Sequence, residues 1–424
     1  MPGMFLSARR APSRALASAL ALSAPLAAAT LALSAAPVCA QAPAGKPSYS
    51  PAFVKAYQPV AAIVNAPTGD YAAAKAQLPA VLAAAQNADD KNAAGNLLII
   101  LGNKLSDHAL QRQGLELMLA SGKVDPGKAG QMQYLLGNLA YEAKDYAAAR
   151  TALEAARTAG YSDEAMPGLL AETYFHQNQT AQGLDYLKGV IAQRTAAHTA
   201  VPEAWLLRGL QAAYTSKLTP QSNEWAVMLV TASPTPNNWL AALQVVDAVN
   251  PLDKGAKLDL YRLMALNGAL KTKADYEGYI DAADPRIMSN EVAKVLASGV
   301  SAGVLQTSGT DYIEYKKVVD QRAPTDRADA PKLVTQARAS ANGVAALNAG
   351  DVLYSLGEYG QAGEMYQLAV QKGGVDKDKA LTRLGIAQVQ AGNAAAAKAT
   401  FAQVSGARAP LAHMWQAYAQ TKGA

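Results

Sequence analysis

The chain has 424 residues, a formal net charge of +5 and one cysteine, Cys39. This length exceeds what one compact core ordinarily holds, so several domains or an array of repeats are expected. A single cysteine excludes an internal disulfide.

The N-terminal segment has the pattern of a secretory signal. Arg9, Arg10 and Arg14 precede a long Ala-rich apolar run, and small residues then predict cleavage after Ala40, so that 1–40 is a signal peptide. A single-span anchor is the competing interpretation. Loss of the three arginines leaves a net charge of +2, too small for a broad basic field that binds nucleic acid. We therefore expect a soluble periplasmic protein of a Gram-negative bacterium, without a membrane span or thiolate chemistry.

The chain repeats a pattern of small and bulky residues at a spacing of 34 or 35 residues. The small residue that anchors each unit is Gly102, Gly137, Ala171, Gly350 or Gly385. Twelve residues later another small residue follows: Gly114, Ala149, Gly183, Ala362 or Ala397. Sixteen residues after the anchor stands a large apolar one: Met118, Leu153, Leu187, Tyr366 or Phe401. Two fixed offsets from the anchor in five units predict a structural repeat.

The spacing is typical of a helical hairpin. Small residues let two helices approach closely where they cross, and the bulky residue fills the space beside the contact. Lys144-Asp145 and Gly392-Asn393 supply turn residues between the two helices. One hairpin cannot bury its apolar face alone, so stacked hairpins are expected.

These units resemble the tetratricopeptide repeat. The positions that carry the resemblance are Tyr134, Leu136, Gly137, Tyr141, Ala149 and Leu153, and later Leu384, Gly385, Ala397 and Phe401. Weaker echoes have anchors at Ala62, Gly209, Asn267 and Gly303, and LTPQS at 218–222 interrupts the second helix expected after Gly209. The resemblance implies an all-α fold, a right-handed α-α superhelical solenoid of helical hairpins.

The spacing also predicts boundaries. We expect a flexible tail at 41–55, an N-terminal helical array at 56–321, and a C-terminal repeat pair at 341–424 that ends in a capping helix with Trp415 on its packed side. Forty-seven residues separate Gly303 from Gly350, about a dozen more than one repeat. The polar, proline-bearing RAPTDRADAP at 322–331 accounts for this surplus, so 322–340 is expected to be a linker and connecting helix.

Two short matches to catalytic motifs are better explained by the repeat. Ser301 lies at the centre of G-V-S-A-G, but its surroundings predict a helix rather than the strand and sharp turn that a nucleophile elbow needs. GKVDPGKA at 122–129 has Ala129 where a phosphate loop needs Ser or Thr, and no strand precedes it. The four histidines are scattered without metal-ligand spacing. Neither an enzyme nor a cofactor is expected.

The candidate binding residues stand one, four and five positions beyond the anchors, on one face of each first helix. They are Asn103, Ser106, Asp107, Asn138, Tyr141, Glu142, Glu172, Phe175, His176, Asp351, Tyr354 and Ser355. In the tetratricopeptide family the corresponding positions line the groove that holds an extended peptide. An Asn amide both donates and accepts, and aromatic rings supply flat contact area. The alternative is that Tyr141 and Phe175 pack against the next hairpin and the asparagines face water.

The function that this pattern favours is non-catalytic binding of another envelope protein or an extended peptide. A second hypothesis is that the solenoid binds envelope polysaccharide or peptidoglycan, with tyrosine rings stacked on sugars. The chain has 19 Tyr against 4 Phe, which permits this without requiring it. A third is a peptidoglycan-cleaving enzyme, but the repeats extend nearly to the C-terminus and leave no room for a catalytic domain.

Overall fold

A computed structural model describes residues 46–422, which form twenty α-helices in two compact units. In residues 46–199, the N-terminal unit, the helices are α1 (Pro51–Asn65), α2 (Tyr71–Ala84), α3 (Ala88–Leu105), α4 (His108–Ser121), α5 (Pro126–Glu142), α6 (Tyr146–Thr158), α7 (Met166–His176) and α8 (Thr180–Ala196). In residues 200–422, the C-terminal unit, they are α9 (Glu203–Thr215), α10 (Thr219–Ala232), α11 (Pro236–Val249), α12 (Lys254–Leu266), α13 (Lys273–Ala283), α14 (Ser289–Ser301), α15 (Thr310–Ala339), α16 (Val344–Leu356), α17 (Tyr359–Lys372), α18 (Lys377–Gln390), α19 (Ala394–Phe401) and α20 (Ala409–Lys422). The predicted signal peptide lies outside the described residues.

The repeat spacing corresponds to helical hairpins, as the sequence predicts. A Cβ atom on Gly137 of α5 would lie 2.7 Å from the Leu153 side chain of α6, sixteen residues later. In the C-terminal unit, the same construction on Gly385 meets the Phe401 ring at 2.5 Å. Such distances leave no room for a side chain, so the anchor glycines let the two helices of each hairpin touch.

The hairpin after Gly209 is complete, although LTPQS suggested an interruption. Thr219 begins α10 with Pro220 in its first turn, where proline fits because that N–H has no partner inside the helix. Trp225 stands sixteen residues after Gly209 and covers it, at 2.1 Å from a Cβ built there. Of the other weak echoes, Asn267 caps α12 and Gly303 lies in the turn after α14. These two are therefore turn residues and do not mark a helix crossing.

The turns within the hairpins have the predicted chemistry. The residue seven positions after the anchor is left-handed at Lys144, Asn178, Gly357 and Gly392, with φ of 61°, 58°, 91° and 82°. After Lys144, the Asp145 carboxylate accepts a hydrogen bond from the Ala148 N–H at 3.2 Å and caps α6. Glycine adopts such a φ without steric cost, and the short polar side chain of Asn tolerates it.

Three expected boundaries differ from the structure. Residues 322–331 belong to α15, a helix of 30 residues, and do not form a linker. Its two prolines, Pro324 and Pro331, are seven residues apart and both exposed, so the missing hydrogen bonds fall on the solvent side, while the opposite face packs. The N-terminal tail also ends earlier than expected, because Ser50 caps α1 and residues 51–55 are helical. The division into units falls at 199/200, inside the expected N-terminal array.

The C-terminal unit departs from a simple array. Its last helix, α20, packs on α19 as a terminal cap should, and it also contacts α10, α11 and α12. Trp415 is fully buried on its packed side, as predicted. In the N-terminal unit, by contrast, the main helix contacts join elements one or two positions apart along the chain. The C-terminal unit is therefore closed by long-range contacts.

The two motif matches have the structures that the repeat predicts. Ser301 is the last residue of α14, exposed to solvent, and no strand precedes it. Residues 122–125 join α4 to α5, with Gly122 left-handed at φ 68° and Asp125 capping α5, and residues 126–129 form the first turn of α5. Within residues 46–422, no helix combines the length and apolar character needed to cross a membrane.

Candidate partner-binding site

Seven of the predicted residues stand on the first helices of three successive hairpins, α3, α5 and α7. We call this set the N-terminal stripe: Asn103, Asn138, Tyr141, Glu142, Glu172, Phe175 and His176. Asn103, Glu142 and His176 are exposed, and the other four are partly buried. The Tyr141 and His176 rings meet edge to face with centroids 5.8 Å apart, so two neighbouring hairpins share one aromatic surface.

Two further residues join this surface that the sequence pattern did not single out. The Tyr146 ring stacks on His176 with centroids 4.3 Å apart and an angle of 6°, and it meets Tyr141 at 5.4 Å. His108, the first residue of α4, places Nδ1 2.9 Å from Oε2 of Glu142. Tyr146 follows the Asp145 cap directly, and the D-Y pair in the sequence is a signal that could have placed it beside the stripe.

Some stripe residues also have packing contacts inside the unit. The Asn138 amide donates to the Tyr134 carbonyl of its own helix at 3.1 Å. Phe175 packs on Gly183, where a Cβ atom would lie 2.7 Å from the ring. Phe175 thus packs on the second helix of its own hairpin, whereas the alternative expected a contact with the next hairpin, which Tyr141 makes through His176. His176 and Glu142 are better placed to meet a partner because both are exposed.

Asp107, another predicted residue, caps a helix and links two hairpins. Its carboxylate accepts from the Leu110 N–H at 3.1 Å, and Lys75 Nζ of α2 lies 2.5 Å away. The hydrogen bond from Lys75, together with the one from Leu110, lowers the pKa of Asp107 below its usual range. A structural role thus accounts for this carboxylate, and its proposed binding role stays a prediction.

The Lys75 link recurs along the N-terminal unit. Arg112 of α4 donates from Nη2 to Asp145 at 2.7 Å, and Arg150 of α6 donates to Gln179. Each donor stands five residues after the N-cap residue of its own helix. It reaches the N-cap residue of the second helix in the next hairpin. This ladder fixes successive hairpins relative to one another, and a basic residue at cap plus five is its sequence signal.

We expect Arg112→Gln to lower the free energy of unfolding by about 0.5–1 kcal/mol, because it removes the ion pair with Asp145. The effect is small because solvent screens the pair: the Asp145 side chain is 41% exposed. The hydrogen bond from Arg112 lowers the pKa of Asp145. The pair therefore stabilises the fold above the unfolded pKa of about 4, and this stability is lost as pH falls through the lower folded value. Urea unfolding followed by circular dichroism at pH 7 and pH 3 measures the difference.

Lys128→Gln, at an exposed lysine of α5, is the matched control for this substitution and should change little. The destabilisation by Arg112→Gln should shrink between pH 7 and pH 3. An equal loss at both pH values would show that the ion pair does not carry the effect.

The predicted residues of the C-terminal unit, by contrast, are buried. Asp351 is 7% exposed; it accepts a hydrogen bond from the Tyr366 hydroxyl at 2.8 Å and pairs with Arg383. Tyr354 is 5% exposed, and the Arg262 guanidinium lies over its ring at 4.0 Å from the centroid. Ser355 accepts from the Glu291 N–H at 2.8 Å. The expectation that these side chains face a groove is wrong. Arg262 of α12 and Glu291 of α14 contact Tyr354 and Ser355, and α17 and α18 supply the partners of Asp351.

A shallow depression of about 500 Å³ borders the N-terminal stripe at the seam between α4 and α5. Its lining includes His108, Arg112 and Glu116 from α4, and Leu139 and Glu142 from α5. Arg112 is already paired there with Glu116 at 2.9 Å and with Asp145. The depression thus extends the polar surface around Glu142 across the seam.

Metal-ligating residues do not cluster in the part of the chain that the structure describes. No group of three or more His, Cys, Asp or Glu side chains between residues 46 and 422 could hold a metal ion. His108 and His176 each lie near one glutamate, at 2.9 and 3.9 Å. The site is accordingly one of aromatic, amide and carboxylate groups.

The geometry defines the class: an all-α protein built from tetratricopeptide-like helical hairpins. No family model and no curated protein matches the sequence. Among solved structures, "Structure of Naa15/Naa10 bound to HypK-THB" is similar with 14% identity and a TM-score of 0.40, over 80% of this chain and 56% of that one. "Crystal structure of APC/C hetero-tetramer Cut9-Hcn1" is similar with 13% identity and a TM-score of 0.20, over 83% and 81%. This chain thus spans little more than half the length of the first of these structures.

Proposed function

We propose that the protein is an exported, non-catalytic scaffold that binds another envelope protein or an extended peptide segment through the N-terminal stripe. The observation that carries the proposal is the aromatic surface formed by Tyr141, Tyr146 and His176 from neighbouring hairpins. Aromatic side chains at a half-exposed position anchor protein partners well, since they bury a large area with little loss of entropy.

The polar members of the stripe give this surface a way to orient a partner. Glu142 is exposed next to Tyr141 on α5, and Asn103 is exposed on α3. A peptide backbone offers hydrogen-bond donors and acceptors to such groups. The ladder from Lys75 to Gln179 supports this surface, because it fixes the hairpins that carry it relative to one another. A rigid support lowers the entropy lost on binding.

Export is supported by the sequence alone, through the basic start, the apolar run and the small residues before Gln41. Periplasmic location is part of the proposal for this reason. A polysaccharide ligand is the second candidate, since stacked tyrosine and histidine rings also suit sugars, and it is an outcome that the experiment below distinguishes.

The test is an in-cell crosslinking pull-down with a stripe variant that carries Asn103→Ala, Glu142→Ala and His176→Ala. Its matched control carries Thr151→Ala, Gln182→Ala and Gln193→Ala, at exposed positions of the second helices α6 and α8. The proposal predicts a discrete envelope protein that the wild type and the control capture and the folded stripe variant loses at least about tenfold, as expected from two or more lost contacts. Mass spectrometry of the captured chain should show an N-terminus at Gln41.

The contrary outcomes are equally specific. Identical captured proteins with both variants would place binding elsewhere on the molecule. Retention on an envelope-glycan column that the stripe variant loses, without a captured protein, would favour the polysaccharide function. An N-terminus upstream of Gln41 would contradict export by cleavage after Ala40.

A further inference from the structure

The end of the chain is anchored far back in the sequence. Arg408 lies in a short 3₁₀ turn before α20 and donates from Nη1 to Oδ2 of Asp259 at 3.2 Å, across 149 residues. The Trp415 indole N–H donates to the Asp259 carbonyl at 3.1 Å. Both contacts reach α12, so residues 406–422 hold the fourth helix of the unit.

Asp259 is the centre of this connection. Its side chain is fully buried and has three guanidinium groups around it: Arg262 and Arg408 at 3.2 Å, and Arg383 at 3.7 Å. These arginines come from α12, from the 3₁₀ turn before α20, and from α18. A buried carboxylate is costly unless it is paired, so the three segments must come together for α12 to be stable in its place.

α12 also covers the face of α16 that carries Tyr354. Arg262 lies on Tyr354 and donates from Nε and Nη2 to the two carboxylate oxygens of Glu291 at 2.8 Å each. The Tyr279 hydroxyl also donates to Glu291 at 2.8 Å. Tyr354 occupies the position of its repeat that Tyr141 occupies in the N-terminal unit, four residues after the anchor glycine. In the C-terminal unit the chain's own Arg262 thus covers the tyrosine at this position.

We propose that the 3₁₀ turn and α20 form a clasp that holds α12 in place and thereby keeps Arg262 on the face of α16 that carries Tyr354. The clasp makes the C-terminal unit one cooperative unit rather than a series of separable repeats, because release of Arg408 leaves Asp259 short of a counter-charge at its centre. The face of α16 that carries Tyr354 is thus covered from within the unit, by Arg262.

Hydrogen exchange of the full chain, followed by mass spectrometry, tests the clasp with Arg408→Gln. Exchange is expected to rise by at least about a hundredfold in α12, α16 and α18 together, as for a broken buried ion pair, while the N-terminal unit keeps its wild-type rates. Arg338→Gln is the control, since that arginine is 62% exposed and lies 3.6 Å from an equally exposed glutamate. It should leave all these helices unchanged.

A milder variant covers the case in which Arg408→Gln fails to fold. Asp253→Asn removes the charge of the exposed partner that Arg408 contacts at 2.8 Å, and it should raise exchange in the same helices by a smaller factor. Faster exchange confined to α20, with α12 and α16 at wild-type rates, would overturn the proposal. This readout needs no partner, so it fails or succeeds independently of binding at the N-terminal stripe.

Discussion

Arg262→Met is expected to lower the free energy of unfolding of the C-terminal unit by about 3–5 kcal/mol, the usual cost of leaving a buried charge without its partner. Arg262 is 1% exposed, and its loss leaves the buried Glu291 without its ion-pair partner and removes one of the three guanidinium groups around Asp259. Tryptophan fluorescence in urea measures the effect directly, because all four tryptophans lie in the C-terminal unit.

The double variant Arg262→Met, Glu291→Met is the control for this prediction. Replacing both members of a buried pair by apolar side chains is often close to neutral, so the double variant should recover most of the loss. A double variant as unstable as the single one would show that packing on Tyr354 matters and the charge does not.

The pH dependence of the same variants has a definite sign. Burial alone would raise the pKa of Glu291, but Arg262 outweighs it and lowers that pKa below its usual range. Glu291 therefore stabilises the wild type above its unfolded pKa of about 4.3, and this contribution is lost as pH falls. Without Arg262, burial raises the pKa instead, so acidification should cost the single variant less than the wild type.

Gly209→Ala has the second largest expected effect, a loss of about 1–3 kcal/mol from overpacking. The new Cβ atom would lie 2.1 Å from the Trp225 ring, which is itself 1% exposed and has no room to move away. The helix preference of Ala over Gly, about 1 kcal/mol, opposes this loss and does not offset it. Urea unfolding followed by tryptophan fluorescence reports the result.

Two variants separate the clash from other causes. Gly363→Ala, in α17, places its Cβ atom 4.0 Å from Leu384 and should leave the C-terminal unit as stable or up to about 1 kcal/mol more stable. Gly209→Ala combined with Trp225→Leu should be less destabilised than the sum of the two single variants. Strict additivity would mean that the two residues do not interact.

The hairpins could be predicted from the sequence because their packing is local. A small residue and the bulky residue sixteen positions later touch across one turn, as Gly137 and Leu153 do, so the constraint recurs at a fixed spacing. The turn at Lys144 and the cap at Asp145 are local for the same reason. Trp225 behind Gly209 obeys the same offset, although LTPQS in the sequence suggests an interruption there.

The closure of the C-terminal unit could not be predicted in this way. Asp259 and Arg408 are 149 residues apart, and no spacing rule joins them. Without that contact, Asp351 and Tyr354 look like groove residues, since their place in the repeat is the same as that of Glu172 and Tyr141. Burial by a distant helix is a tertiary effect that a repeat pattern does not carry.

The central claim is that partners bind at the N-terminal stripe, and site-specific photocrosslinking tests it most directly. A photoreactive residue is placed at Glu142 or His176 in the stripe, and at Gln193 on α8 as the control, all three exposed. The account predicts one discrete adduct from the two stripe positions that the control position does not give. Adducts that are the same from all three positions, or that arise from Gln193 alone, would contradict it.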